Sequence, residues 1–180
     1  MDDAIEEICQ LPKGVVEEFV KQHRETAKFS NDVSVNTIRI LSVLENSKCY
    51  VPYAVMRIGG GKNPLDHIHN GGLLGPVDPA TGKIFSAAVD YEGELHEVHP
   101  LTGETIKGFE IPYWEDVKKL IGKATRLYPT VGFVGWDVAI LEDGPILIEG
   151  NTYPAADNVQ LPFTAFKRGT KFLFDKFLDK

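Results

Sequence analysis

The chain has 180 residues, 43% of them hydrophobic and 25% charged, with a formal net charge of −7. That balance describes a globular protein with a core large enough to stand without disulfides or a structural metal. An acidic chain lacks the basic footprint of a nucleic-acid binder, so nucleic acid is excluded as a partner, while a local pocket of arginine and lysine can still hold a nucleotide. Cys9 and Cys49 are the two cysteines, without zinc or disulfide spacing. The amino terminus lacks signal-peptide character, and no apolar run approaches the roughly 18–20 residues that span a bilayer. One soluble domain over residues 1–180, in a reducing cytoplasm, is the expectation.

In chain order, residues 2–10 read as a short acidic helix with Ile5, Ile8 and Leu11 on one face, broken by Pro12-Lys13-Gly14. Val15 to Val20 reads as a strand carrying Glu17 and Glu18, and the polar stretch Gln22 to Asp32 as a loop. Val33 to Leu44 and Tyr50 to Ile58 read as strands joined by a turn at Asn46-Ser47-Lys48. Gly59 to Gly82, rich in glycine and proline and poor in apolar residues, reads as a long functional loop. Beyond the turn signature Asp78-Pro79-Ala80-Thr81-Gly82, Lys83 to Tyr91 and Leu95 to Val98 suggest a hairpin around Glu92-Gly93.

Val117, Leu120, Ile121 and Ala124 recur at helical spacing within Pro112 to Leu127. Val131 to Leu141 and Pro145 to Glu149 form a hairpin around Glu142-Asp143-Gly144. Leu161 to Leu178 reads as a terminal amphipathic helix, interrupted at Gly169. The sum is an α+β fold, a mainly antiparallel sheet with helices packed against it.

The last hairpin carries the chemistry. Asp137 lies roughly across it from Glu149, and Glu149 and Asn151, two apart on a strand, share a face. Opposed Cβ atoms stand about 5 Å apart, so two carboxylates and an amide oxygen converge as hard ligands suited to magnesium. The alternative is a solvent-facing strand with ordinary acids. The apolar neighbours Val138, Ala139, Ile140, Ile146, Leu147 and Ile148 predict instead a largely buried hairpin, where two unpaired carboxylates repel and a cation relieves them. Trp136 is expected in the core, and His99, before Pro100, reads as structural.

These residues resemble a known signature. Gly135-Trp136-Asp137-Val138-Ala139, Asp143-Gly144-Pro145 and Leu147-Ile148-Glu149-Gly150-Asn151 are similar to the carboxyl-terminal motif of ATP-grasp proteins. The nearest resemblance is to the sugar-transfer-associated ATP-grasp family, found beside polysaccharide-building genes. Val16 to Val20 with Gln22-His23 resembles the strand and hinge that hold adenine and ribose. Ser34 to Arg39, Met56 to Gly59, Asn70-Gly71-Gly72, His99-Pro100 and Gly108 to Pro112 resemble further stretches of the family, in order, over roughly residues 3 to 170.

The resemblance implies an ATP-grasp carboxyl-terminal subdomain. It implies ATP and Mg2+ as cofactors, Asp137, Glu149 and Asn151 as metal ligands, and Arg39 and Arg57 on phosphate or acyl-phosphate oxygens. Glu17, Glu18, Val20, Gln22 and Asn70 fall at the nucleotide. The implied activity is an ATP-dependent ligase with a small-molecule carboxylate substrate. The resemblance begins just before the adenine hinge, so the lysine-bearing amino-terminal lid is expected to be absent. A second reading therefore makes the chain an inactive binding module that self-associates or meets a partner supplying that lid. A third, independent of the family, places a metal on Asp66, His67 and His69 of a hydrolase.

Overall fold

The computed structural model describes residues 19–30, 34–60, 68 and 71–178. Seven strands form one sheet: β1 (Thr37–Glu45), β2 (Lys48–Ile58), β3 (Leu73–Val77), β4 (Ala88–Val89), β5 (Leu95–His96), β6 (Phe133–Leu141) and β7 (Gly144–Asn151). Their spatial order is β5-β4-β3-β2-β1-β6-β7, with every neighbouring pair antiparallel. Among the described residues four α-helices accompany it: α1 (Arg24–Ala27), α2 (Trp114–Leu127), α3 (Asp157–Gln160) and α4 (Asp175–Leu178). Two 3-10 turns, Leu161–Phe166 and Lys171–Leu173, complete the carboxyl-terminal segment. The α+β expectation holds.

Local chemistry explains the central hairpins. The β1–β2 turn places Asn46 at φ 48° and Ser47 at φ 63°, the paired left-handed conformation that matches strand twist and that asparagine tolerates. The β6–β7 turn needs only Glu142-Asp143 before Gly144 starts the return strand at φ 139°. Helix α2 begins after Pro112, carries Glu115 and Asp116 at its positive end, and buries Val117, Ile121 and Ala124.

The sheet is covered on both faces, unequally. Ile38, Ile40, Met56, Trp136, Val138 and Ile140 pack with the α2 side chains into the larger core. Leu41, Tyr53, Val55, Leu74 and Val89 meet Val159 and Phe163 of the carboxyl-terminal segment in a smaller one. That second cover stops short of one end of the face, where the charged residues begin.

Four expectations change. The stretch Gln22 to Asp32 contains α1, which His23 caps by accepting the Glu25 amide on Nδ1 at 3.1 Å. The second half of the supposed Gly59–Gly82 loop is β3, fully buried between β2 and β4. Its composition hid it: Gly75 leaves room for Ile84, whose Cδ1 would lie 3.0 Å from an added Cβ, and Pro76 breaks the usual strand pattern. The hairpin around Glu92-Gly93 shrinks to β4 and β5. The terminal helix breaks into short turns, because Pro162 limits the first and Lys167 at φ 48° ends it. The amino-terminal helix and Val15 to Glu18 lie outside the described residues, and Phe19 and Val20 run outside any strand.

Candidate functional site

The register builds the site. Arg39 on β1 faces Asp137 on β6, and Asp137 faces Glu149 on β7. Because alternate residues share a face, Arg57 on β2 lies on the same side. Three adjacent strands thus carry a base, an acid and an acid in one row, with a second base beside it.

The contacts follow. Arg39 grips Asp137 with two donors, Nε to Oδ1 and Nη2 to Oδ2, the latter at 2.9 Å. Arg57 Nη1 also donates to Oδ2 at 2.9 Å. Asp137 is 3% exposed and Arg39 6%, so these charges meet where water screens them little. Burial alone would raise the Asp137 pKa. The hydrogen bond from Arg39, the charges of Arg57 and Arg39, and a contact with the Glu149 carboxyl outweigh it and hold the group below its ordinary value. Glu149 is exposed, and the Asn151 amide nitrogen donates to its Oε1 at 2.8 Å.

The expected burial holds for β6 but not for β7, and Asp137 is not unpaired. β7 is the edge strand of the described sheet, paired on one side to β6, and its Glu149, Ile146 and Ile148 are exposed. Two arginines, rather than a cation alone, answer the Asp137 charge.

The donor set nevertheless fits magnesium. Asp137 and Glu149 stand opposite each other on β6 and β7, and two carboxylates on one face favour a cation between them. Turning the Asn151 amide over would bring its oxygen alongside, giving the all-oxygen set that the ion prefers.

A cleft of about 270 Å³ opens over this row, lined by Arg39, Arg57, Glu149 and Asn151 and then by Ile68, Tyr153, Ala155, Asp157 and Asn158. The last five were missed in the sequence. Only Asn151-Thr152-Tyr153-Pro154 carried a signal, an aromatic beside a proline directly after the presumed ligands.

Supporting residues hold the row in place. Gln22 donates from Nε2 to Ser30 Oγ (3.0 Å) and Ser34 O (2.7 Å), and its Oε1 accepts from the Asn36 backbone and side chain, both at 3.1 Å. Its amide is thereby saturated, which leaves nothing for a ligand. Asn36 Oδ1 accepts from Gly59 N at 2.9 Å, and His99 Nε2 donates to Gly59 O at 3.0 Å. The backbone two residues past Arg57 is thus clamped from both sides. His99 Nδ1 accepts the Leu101 and Thr102 amides at 3.3 and 3.2 Å, so the ring is neutral and structural. Burial lowers its pKa, against the pull of the Gly59 carbonyl. Trp136, 5% exposed, lies on the opposite face and donates to Ser42 Oγ at 2.8 Å, as a core residue. Val20 is half-buried and outside the cleft lining. Glu17, Glu18, Asn70, Asp66, His67 and His69 lie outside the described residues.

With this geometry in view, the family model described as sugar-transfer associated ATP-grasp matches residues 10–170. The chain belongs to that family. Its ATP-grasp membership makes nucleotide binding the family's business and agrees with the seven-stranded antiparallel sheet. No curated protein and no solved structure matches the chain at a significant level. Among the described residues, no helix is long and apolar enough to cross a membrane.

Proposed function

We propose that the chain holds the magnesium side of an ATP-dependent ligase that activates a carboxylate as an acyl phosphate, in the building of polysaccharide or another cell-surface polymer. The observation that carries this reading is the row Arg39–Asp137–Glu149 with Arg57 beside it, two bases and two acids on one face at the floor of a cleft. Asp137, Glu149 and Asn151 would hold Mg2+, which neutralises charge on the phosphates during transfer.

The chain's own residues do the rest. Without ligand, two guanidiniums balance two carboxylates. Triphosphate oxygens offer Arg39 and Arg57 a better bidentate partner than a carboxylate already committed elsewhere, so both arginines turn toward the transferring phosphoryl group. The substrate carboxylate oxygen attacks the γ-phosphorus, the bond to the β–γ bridging oxygen breaks, and ADP leaves. An amine then attacks the acyl carbon, loses a proton and expels phosphate. Glu17, Glu18, Val20 and Asn70 are assigned to the nucleotide by the resemblance, with Gln22 shaping the segment behind them through its buried network.

Hydroxylamine trapping tests the chemistry. Incubation with Mg–ATP and a panel of carboxylates should yield hydroxamate with ADP. Release of AMP and pyrophosphate would show adenylate formation instead and would contradict the acyl-phosphate reading.

One observation favours a second reading. Among the described residues β7 is the edge of the sheet, with Ile146 and Ile148 40% and 46% exposed, and sheet edges invite another chain. On that reading the chain is a catalytically inactive nucleotide-binding module that meets a second copy or a partner. A monomer by light scattering at high concentration would count against it.

A further inference from the structure

Next to the charged row the cleft changes character. Tyr153 lines it and is 95% exposed, the most of any large apolar residue among those described. Its backbone is anchored on both sides. Asn151 pairs with Gly135 in the β6–β7 ladder, and Pro154 sits so close over Gly135 that an added Cβ would lie 2.6 Å from Pro154 Cβ. The ring is therefore presented to solvent by a held segment, with Gly135 making the room that holds it.

Asp157 and Asn158 stand on the same cleft. Asp157 Oδ1 accepts from Asn158 N at 2.7 Å and from Asn158 Nδ2 at 3.3 Å, and Asn158 O accepts the Tyr53 hydroxyl at 2.6 Å. A fixed carboxylate and amide beside an exposed aromatic face suit a polyhydroxylated ring. Hydroxyls donate to the carboxylate and exchange hydrogen bonds with the amide. Pyranose C–H bonds, partly positive, meet the electron-rich face of the tyrosine. At the other end stand Arg39 and Arg57, whose guanidiniums hold Asp137 and would exchange that carboxylate for the ligand's. At about 270 Å³ the cleft falls just below the usual span of ligand pockets, roughly 300–1,000 Å³, and it suits one ring rather than an oligosaccharide.

We propose that the carboxylate substrate is a sugar acid of the hexuronate class. Its ring stacks on Tyr153, its hydroxyls meet Asp157 and Asn158, and its carboxylate points toward Arg39 and Arg57. This rests on the ligase reading for its carboxylate end, while the Tyr153 subsite stands on its own geometry.

The test titrates the full chain with D-glucuronate, D-glucose and glutarate, followed by saturation-transfer NMR, for wild type, Tyr153→Ala and Tyr153→Phe. Binding of a non-hydrolysable Mg–ATP analogue to wild type is measured alongside by calorimetry. Glucuronate should bind saturably and more tightly than glucose or glutarate, each of which lacks one half of the ligand. Tyr153→Ala should weaken glucuronate about three- to tenfold, the range of a lost aromatic stack, and Tyr153→Phe should keep it. No saturable glucuronate signal, equal binding of glutarate, or an unchanged Tyr153→Ala would overturn the inference, and nucleotide binding in the same samples would leave the ligase reading standing. Tyr153-dependent glucuronate binding without nucleotide binding would support the sugar subsite and remove the ligase.

Discussion

Trp136 and Asp137 are neighbours on β6 and point to opposite faces of one sheet, and the contrast between them organises the molecule. Under Trp136 the face is closed by α2 and decided by shape: apolar side chains, one indole hydrogen bond to Ser42, and Gly150 so close that an added Cβ would lie 2.6 Å from the indole ring. Above Asp137 the face is decided by charge, with a base and two acids in a row, a second base beside them and a cleft over them. A core can tolerate any filling of the right volume, whereas a charged row holds only if every partner is present. That difference makes one face a support and the other a candidate site.

Removing the acid should break the comparison hardest. Asp137→Ala takes the shared acid away from buried Arg39 and half-buried Arg57, and the loss at Arg39 alone should cost about 3 kcal/mol. Urea denaturation would show it, and a loss under 1 kcal/mol would mean the arginines relax to water. On the other face, Trp136→Phe keeps a ring but loses the bond to Ser42. It should cost about 1–2 kcal/mol and leave nucleotide binding intact, and loss of nucleotide binding would show that the two faces are not independent.

A smaller effect comes from pH. His99 is held neutral, its pKa lowered by burial. Below its ordinary value of about 6.5, the unfolded chain takes up a proton that the folded chain refuses, so stability falls as pH drops toward the lowered value, and is level above 6.5. His99→Gln should lose this part of the slope between pH 7 and the acid limb. An identical slope in both proteins would assign it to other groups. The least effect on stability belongs to the outer acid. Glu149→Gln, on an exposed edge strand, should shift unfolding by no more than about 0.5 kcal/mol, as thermal melts would report.

Much of this was legible in the residues. Asp-Gly marked the β6–β7 turn, but that two-residue turn alone would set Asp137 across from Ile148; a register shift between Asp137 and Val138 brings Glu149 opposite it instead. The spacing of Val117, Ile121 and Ala124 marked the buried side of α2. Three further things were not legible. The pairing of Arg39 and Arg57 with Asp137 depends on β1 lying between β2 and β6, an order that no local pattern encodes. β3 was masked by the glycine and proline that its tight packing requires. The cleft wall beyond Asn151 comes from a segment whose prolines and phenylalanines pack against the sheet in short turns, where helical periodicity was a poor guide.

The direct test of the central claim is calorimetric titration of ATP into wild type and Glu149→Gln, with and without magnesium. The account predicts wild-type binding that requires magnesium and a loss of about tenfold or more in the variant, one charged ligand contact at 1.4 kcal/mol per decade. Equal heats from the two proteins, or binding indifferent to magnesium, would contradict it.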